Sequence, residues 1–137
     1  MNNNDCRMIQ FEKNSNETGQ LVYMEAHKEI PFSIKRIYYI YGVPSYETRG
    51  FHAHKNLQQV LIAISGSLEV AIDNGYEKKN FTLSSPQQGL FVNSRLWRKL
   101  SNFSTDAICL VLASAYFNVS DYIRDYNVFL NYISGAE

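Results

Sequence analysis

The stretch RGFHAHKNLQQVLI, residues 49–62, holds two of the three histidines in the chain. His52 and His54 stand two apart, so on a strand both imidazoles leave the same face. Outward from that pair the chain keeps one style. Short apolar or alternating runs recur: MIQFEK (8–13), LVYMEA (21–26), IKRIYYIYG (34–42), LQQVLIAIS (57–65), SLEVAID (67–73), KKNFTLS (78–84), GLFVN (89–93), WRKLSN (97–102) and DAICLVLAS (106–114). Turn residues separate them, among them Ser65-Gly66, Ser85-Pro86 and the segment from Ser104 to Asp106. Asn74-Gly75 has the two-residue centre favoured in hairpins. Many short strands at even spacing predict an all-β sandwich or barrel.

Only the end differs. Over 119–134, Tyr122, Tyr126, Phe129 and Ile133 fall at three- and four-residue steps, one helical stripe. Ser120 is the expected N-cap, with Asp121 in the first turn. The pattern predicts one C-terminal helix packed on the β body. There is no internal repeat or linker, so a single domain over 1–137 is expected.

The 137 residues are 45% apolar and 14% aromatic, ample for one core. Lys plus Arg equals Asp plus Glu at 13 each, so no overall field draws in nucleic acid or an anionic membrane. Affinity for phosphate must then come from a few placed arginines. The leading segment MNNNDCRMIQFEKNSNE is polar and unlike a secretory signal, and no run approaches the roughly 20 apolar residues of a membrane span. Cys6 and Cys109 form no CxxC and suit reduced thiols. A soluble, cytoplasmic protein is expected.

Three uses of the histidine pair compete. On a jelly-roll strand, HxH suggests a cupin, whose metal-binding members add a Glu four residues on and another His on a later strand. Here Gln58 or Gln59 stands in the Glu position, and Trp97 and Arg98 stand where the later His is expected. A neutral amide is a poor ligand and a guanidinium repels a metal. His27, in EAHKEIPF, reads as a loop residue. A catalytic zinc takes at least three protein ligands, so the metal reading fails on ligand count. The second use is structural, a pair of satisfied core histidines. The third is proton transfer: an imidazole titrates near neutrality, and two beside Arg49 and Lys55 suit moving protons between neighbouring carbons and their oxygens.

PFSIKRIYYIYG (31–42), TRGFHAHKNLQQVLIAISGSLEVAIDNG (48–75), TLSSPQQGLFVNSRLWRKL (82–100) and VLASAYFNVSDYIRDYNVF (111–129) resemble the dTDP-sugar 3,4-ketoisomerases. These are cupin enzymes acting on dTDP-4-keto-6-deoxy-D-glucose, and the likeness runs from about residue 8 onward. It implies an all-β cupin jelly roll with a short C-terminal helix, and an isomerase that needs neither cofactor nor metal. The carbonyl moves from C4 to C3, giving a 3-keto sugar that an aminotransferase converts to a 3-amino sugar for surface glycans such as lipopolysaccharide O-antigen.

The resemblance implies His52 as the base that takes the C3 proton, an activity expected to fall below about pH 6 where imidazoles protonate. His54 becomes the second proton-handling or orienting group, and Tyr38 the acid or relay. Alternation puts Arg36, Tyr38 and Ile40 on one face and Ile37, Tyr39 and Tyr41 on the other. For Tyr38 alone, a plain core or interface aromatic is the competing reading. Arg36 and Arg49 are the first choices for the diphosphate, since a guanidinium holds phosphate bidentately; ordinary salt bridges are the alternative. Arg98 is assigned to the substrate too. It either sets the face of C4 reprotonation, with a lean to the gluco product because some members carry His there, or binds an anion. Thr18 is a candidate for the same wall, and Phe51, Tyr116 or Phe117 for stacking on thymine. Members form homodimers that exchange N-terminal strands, which MIQFEK and LVYMEA suit. The competing functions are an epimerase of the same sugar nucleotide and a non-catalytic sugar-nucleotide-binding cupin.

Overall fold

The computed structural model describes residues 1–135. Two five-stranded antiparallel sheets face each other. The first has the order β1 (Cys6–Gln10), β9 (Gln88–Val92), β6 (Gln59–Ser65), β11 (Ile108–Ala113), β4 (Arg36–Tyr41). The second has β12 (Tyr122–Ile123), β5 (Arg49–His54), β10 (Trp97–Ser101), β7 (Leu68–Asp73), β8 (Lys78–Leu83). A separate hairpin joins β2 (Glu12–Asn16) to β3 (Gly19–Tyr23). This is the expected all-β cupin-like architecture.

Alternation explains which side chains meet between the sheets. Leu61 and Ala63 of β6, Leu90 and Val92 of β9 and Cys109 and Val111 of β11 face Leu68, Val70 and Ile72 of β7 and Leu100 of β10. The other face of β6 is also buried: Val60 and Ile62 pack with Phe11, Ile30 and Phe32, supplied by the N-terminal segments. A strand covered on both faces reads as an unbroken apolar run, which is why LQQVLIAIS loses its alternation.

Three local expectations are corrected. MIQFEK is not one strand: Phe11 breaks it into β1 and β2, its ring 2% exposed and its N–H donating to the Gln87 carbonyl at 2.8 Å. The hairpin at Asn74-Gly75 is a four-residue loop, since Asp73 pairs with Lys78. The Asn74 side chain accepts from the N–H groups of Tyr76 and Glu77 and stabilises that longer turn. Gly75, at φ +93, lies where any Cβ would meet Ile133.

The third correction has the largest consequence. The helix α1 (Tyr126–Ser134) begins five residues later than expected, capped by Asp125 rather than Ser120; the Asp125 side chain accepts from the Val128 N–H. Ser120 and Asp121 fall in a 3-10 turn, Val119–Asp121, and Tyr122 belongs to β12. Tyr122 pairs with His54 and Ile123 with Ala53, so sheet pairing prevails over helical periodicity. The helix buries Phe129 against Ala53 and Ile123 on the outer face of the second sheet.

Candidate active site

Between the sheets lies a cavity of about 440 Å³. His52 reaches it from β5 on one side and Tyr38 from β4 on the other. The alternation along β4 is as expected: Arg36, Tyr38 and Ile40 are half-buried, while Ile37, Tyr39 and Tyr41 are 59%, 63% and 68% exposed.

Along β5 simple alternation fails, and the failure builds the site. Arg49 and His52 differ by an odd number, yet both line the cavity. Opposite β10, Arg98 pairs with His52 and Lys99 with Gly50, which leaves Phe51 as an extra residue. Gly50 and Phe51 both take positive φ, 94° and 54°, in this bulge. A Cβ on Gly50 would sit 2.8 Å from the Arg98 carbonyl oxygen, so glycine is required there. The bulge turns Arg49 onto the histidine face and sends Phe51 to a separate outer cavity with Trp97 and Lys99.

His52 Nδ1 lies 3.0 Å from the Gly50 carbonyl oxygen. A carbonyl only accepts, so Nδ1 carries the proton and Nε2 presents its lone pair. That Nε2 is buried, with no partner among the described residues. Burial, then the Arg98 charge, lowers the His52 pKa to about 4. At neutral pH it is an uncharged base with a free lone pair.

His54 lies beside it, ring centroids 4.9 Å apart and edge-on. It opens to a neighbouring cavity of about 560 Å³, not to the cavity that holds His52 and Tyr38. Its Nδ1–H donates to Asp121 Oδ2 at 3.2 Å, which fixes the tautomer. Asp121 also accepts from the N–H groups of Asn56 and Leu57. Burial and then Arg98 hold His54 neutral, below the ordinary imidazole range.

The cations are concentrated. Arg36, Arg49, Arg98 and Arg124 all line the His52 cavity, and among the described residues no Asp or Glu does. In a chain of net charge zero, this concentration of positive charge suits an anion. Arg98 is 2% exposed and donates to Gln59 Oε1 at 2.6 Å and to the Leu96 carbonyl at 3.1 Å. Burial lowers its pKa to about 10, so it stays charged. Arg36 lies over the rings of Tyr38 and Phe117, at 5.3 and 5.5 Å. The buried unpartnered side-chain atoms are Arg36 Nε, His52 Nε2, His54 Nε2 and Arg98 Nε, among the described residues. All four sit around these two adjoining cavities. Buried polar atoms ordinarily find partners, so their convergence marks a place shaped for a ligand.

Arg36, Tyr38, Arg49, His52, Arg98 and Phe117 line this cavity, with His54 set back behind His52 and Tyr116 in the neighbouring cavity; Phe51 faces the outer cavity, and Thr18 is exposed in the β2–β3 turn, bonded to Asn16. Four further residues join them. Gln59, weighed only as a failed metal ligand, bridges Arg98 and Tyr38. Asp121, Tyr122 and Arg124 come from SDYIR, a segment assigned to a helix; the tyrosine ring touches both imidazoles, at 5.0 and 4.4 Å, and Arg124 stacks on it at 4.4 Å. A DYIR run ending immediately before the Asp125 N-cap was the available signal. His27 is remote from the site, exposed and bonded to Ser33. Among the described residues no three His, Cys, Asp or Glu side chains converge as a metal site would need.

A family model described as FdtA, WxcM-like, C-terminal, matches residues 4–134. The TDP-4-oxo-6-deoxy-alpha-D-glucose-3,4-oxoisomerase of Aneurinibacillus thermoaerophilus is 46% identical over 128 residues, 93% of this chain and 92% of that one. A crystal structure of a 3,4-ketoisomerase from Helicobacter canadensis superposes with a TM-score of 0.93 at 45% identity, covering 95% of this chain and 98% of that one. The 3,4-ketoisomerase QdtA of Thermoanaerobacterium thermosaccharolyticum, solved as a histidine-to-asparagine mutant in complex with TDP-4-keto-6-deoxyglucose, gives 0.93 at 36% identity, covering 96% and 95%.

Proposed function

The chain belongs to the FdtA family of dTDP-sugar 3,4-ketoisomerases, and on that footing we propose that it converts dTDP-4-keto-6-deoxy-D-glucose to a dTDP-3-keto-6-deoxyhexose without a metal. The observation that carries this reading is the pair of facing groups on opposite sheets: the unpartnered Nε2 of neutral His52 and the phenol of Tyr38, inside a ring of arginines.

The ketone at C4 acidifies the C3 hydrogen, and His52 Nε2 removes it. The resulting enediolate carries its charge on O4, near Arg98, whose guanidinium offsets it in a site of low dielectric. The hydroxyl proton passes from O3 to O4. A proton then reaches C4, the double bond becomes the C3 carbonyl, and solvent restores the starting protonation of base and acid. Arg36, Arg49 and Arg124 hold the diphosphate. Ligand count supports metal independence: among the described residues the cavity offers one imidazole, His52, and no carboxylate, amid four cations.

We further propose the gluco configuration at C4. In a gluco ring the hydrogens on C3 and C4 lie on opposite faces. In this reading His52 takes the first from one face and Tyr38 delivers the second to the other; that the two side chains come from opposite sheets supports it. Burial raises the Tyr38 phenol pKa, so it holds its proton at neutral pH. Return of the proton by His52 to its own face would give the galacto product.

The enzyme is proposed to work as one domain over 1–137 and as a homodimer with exchanged N-terminal strands. The edge strand β4 turns Ile37, Tyr39 and Tyr41 outward, and the β2–β3 hairpin carries Leu21 at 57% exposure, with no third strand beside it among the described residues. Sedimentation at micromolar concentration is expected to give twice the monomer mass. No helix among the described residues is long and apolar enough to cross a membrane. Two free, buried cysteines fit work in the reducing cytoplasm, upstream of amino transfer to the 3-keto sugar for surface glycans.

NMR of the product formed from dTDP-4-keto-6-deoxyglucose tests reaction and stereochemistry together. A carbonyl at C3 with gluco C4 is expected. A carbonyl that stays at C4 with inverted neighbours would mean epimerisation, and an unchanged substrate would mean a binding module.

The pH profile is a second test. Because the His52 pKa is lowered, the base is neutral above about pH 4 and loses its lone pair as pH falls through that value. We expect kcat/KM to hold down to about pH 5, unlike the limb near 6 of an ordinary imidazole. The unfolded chain protonates His52 from about pH 6.5, so the same shift weakens the fold by up to about 1.4 kcal/mol per pH unit below that point. Rates are therefore read beside circular dichroism at each pH. A limb at 6 to 7 with the fold intact would overturn the assignment.

A further inference from the structure

Gln59 opens the central strand β6, backbone-paired to Val92 on one side and Ala113 on the other, and is 2% exposed. Its amide is held at both ends. Arg98 Nη1 lies 2.6 Å from Oε1, and Nε2 lies 2.9 Å from the Tyr38 hydroxyl. Only one orientation is possible. A guanidinium has five donors and no acceptor, so it must meet the amide oxygen. The amide nitrogen is then the end that faces Tyr38, and it can only donate. The Tyr38 oxygen accepts that bond, and its own proton must point elsewhere. The open direction is the cavity that Tyr38 shares with His52.

We infer that Gln59 is a positioning residue that fixes the direction of the Tyr38 O–H: with its amide locked by Arg98, it makes the phenol a committed proton donor to the substrate. This rests on the ketoisomerase reading and names what aims its acid. Without the chain Arg98–Gln59–Tyr38 the hydroxyl could rotate, or donate back into the protein.

The step balances. Tyr38 gives its proton to C4 of the enediolate as the C3 carbonyl forms, and becomes a phenolate beside the Arg98 charge. The proton taken from C3 stays on His52 until solvent removes it, and solvent reprotonates the phenolate. Nothing is oxidised or reduced.

Gln59→Glu tests this with almost no change in shape. The carboxylate meets Arg98 as before but offers Tyr38 an acceptor, so the phenol donates to residue 59 and turns its proton from the cavity. We expect kcat to fall about 10²-fold, the range for loss of a general acid, with KM changed less than about threefold. In a Tyr38→Phe background the same substitution is expected to cost less than about twofold, because the group it misdirects is gone. Gln59→Met, which has no polar end group, leaves the hydroxyl free to rotate; about a tenfold loss is expected, again absent with Tyr38→Phe. This variant serves should the buried glutamate fail to fold.

Full additivity of either substitution with Tyr38→Phe would overturn the inference, since Gln59 would then act through Arg98 or through packing. Wild-type rates within threefold in both single variants would overturn it as well. If wild-type enzyme forms no 3-keto product, the ketoisomerase reading fails first, and that result is distinct from either.

Discussion

Replacing His52 with asparagine is expected to lower turnover by about 10²-fold or more, the usual cost of removing a general base. Asparagine can keep a donor toward the Gly50 carbonyl but carries no lone pair that takes a proton at neutral pH. The arginines that line the cavity are untouched, so substrate affinity should change little. The effect therefore lies in kcat rather than KM. Parallel rates and isothermal titration with dTDP measure the two separately. Activity within a few-fold of wild type would remove His52 from the mechanism.

The second large effect couples function to stability in opposite senses. Among the described residues Arg98 is a fully buried cation with no carboxylate partner; its acceptors there are one amide and one carbonyl, and its Nε has none. Such a charge pays a desolvation cost of several kcal/mol that two neutral hydrogen bonds only partly offset. Arg98→Met fills a similar volume with apolar atoms. It leaves the Gln59 oxygen unpaired, at about 1 to 3 kcal/mol, but removes the larger penalty. We expect a melting temperature equal to or above that of wild type, with kcat lower by about 10²- to 10³-fold, the scale for loss of one donor to a developing oxyanion. Thermal unfolding beside steady-state rates checks both. A variant that melts well below wild type would assign Arg98 to the fold instead.

The sequence showed the strands well, because each buries one face or two and so repeats with period two or runs apolar throughout. The Arg36 and Tyr38 face was legible for the same reason. Two features broke that rule. The bulge at Gly50 and Phe51 adds a residue, so Arg49 joins His52 on a face that alternation denies it. The signal was the glycine, but its meaning depends on how closely the Arg98 backbone approaches from another strand. In SDYIRDYNVF, aromatic residues at helical steps hid a strand, since Tyr122 points at two imidazoles and only Tyr126 onward packs as a helix. Contacts such as Asp121 with His54, 67 residues apart, follow from that pairing and leave no local trace. Gln59 is similar: a lone glutamine acquires a role only once Arg98 and Tyr38 are known to flank it.

The central claim is that an uncharged imidazole moves a proton without help from a metal. Running the reaction in deuterium oxide with a chelator present, and reading C4 of the product by NMR, tests it most directly. Full turnover with one deuterium at C4 is expected, because the proton that reaches C4 comes from the solvent-exchanged Tyr38 hydroxyl while the hydrogen taken from C3 stays on His52. Protium carried intact from C3 to C4 would reveal a hydride shift, and either that or loss of turnover to the chelator would contradict the mechanism.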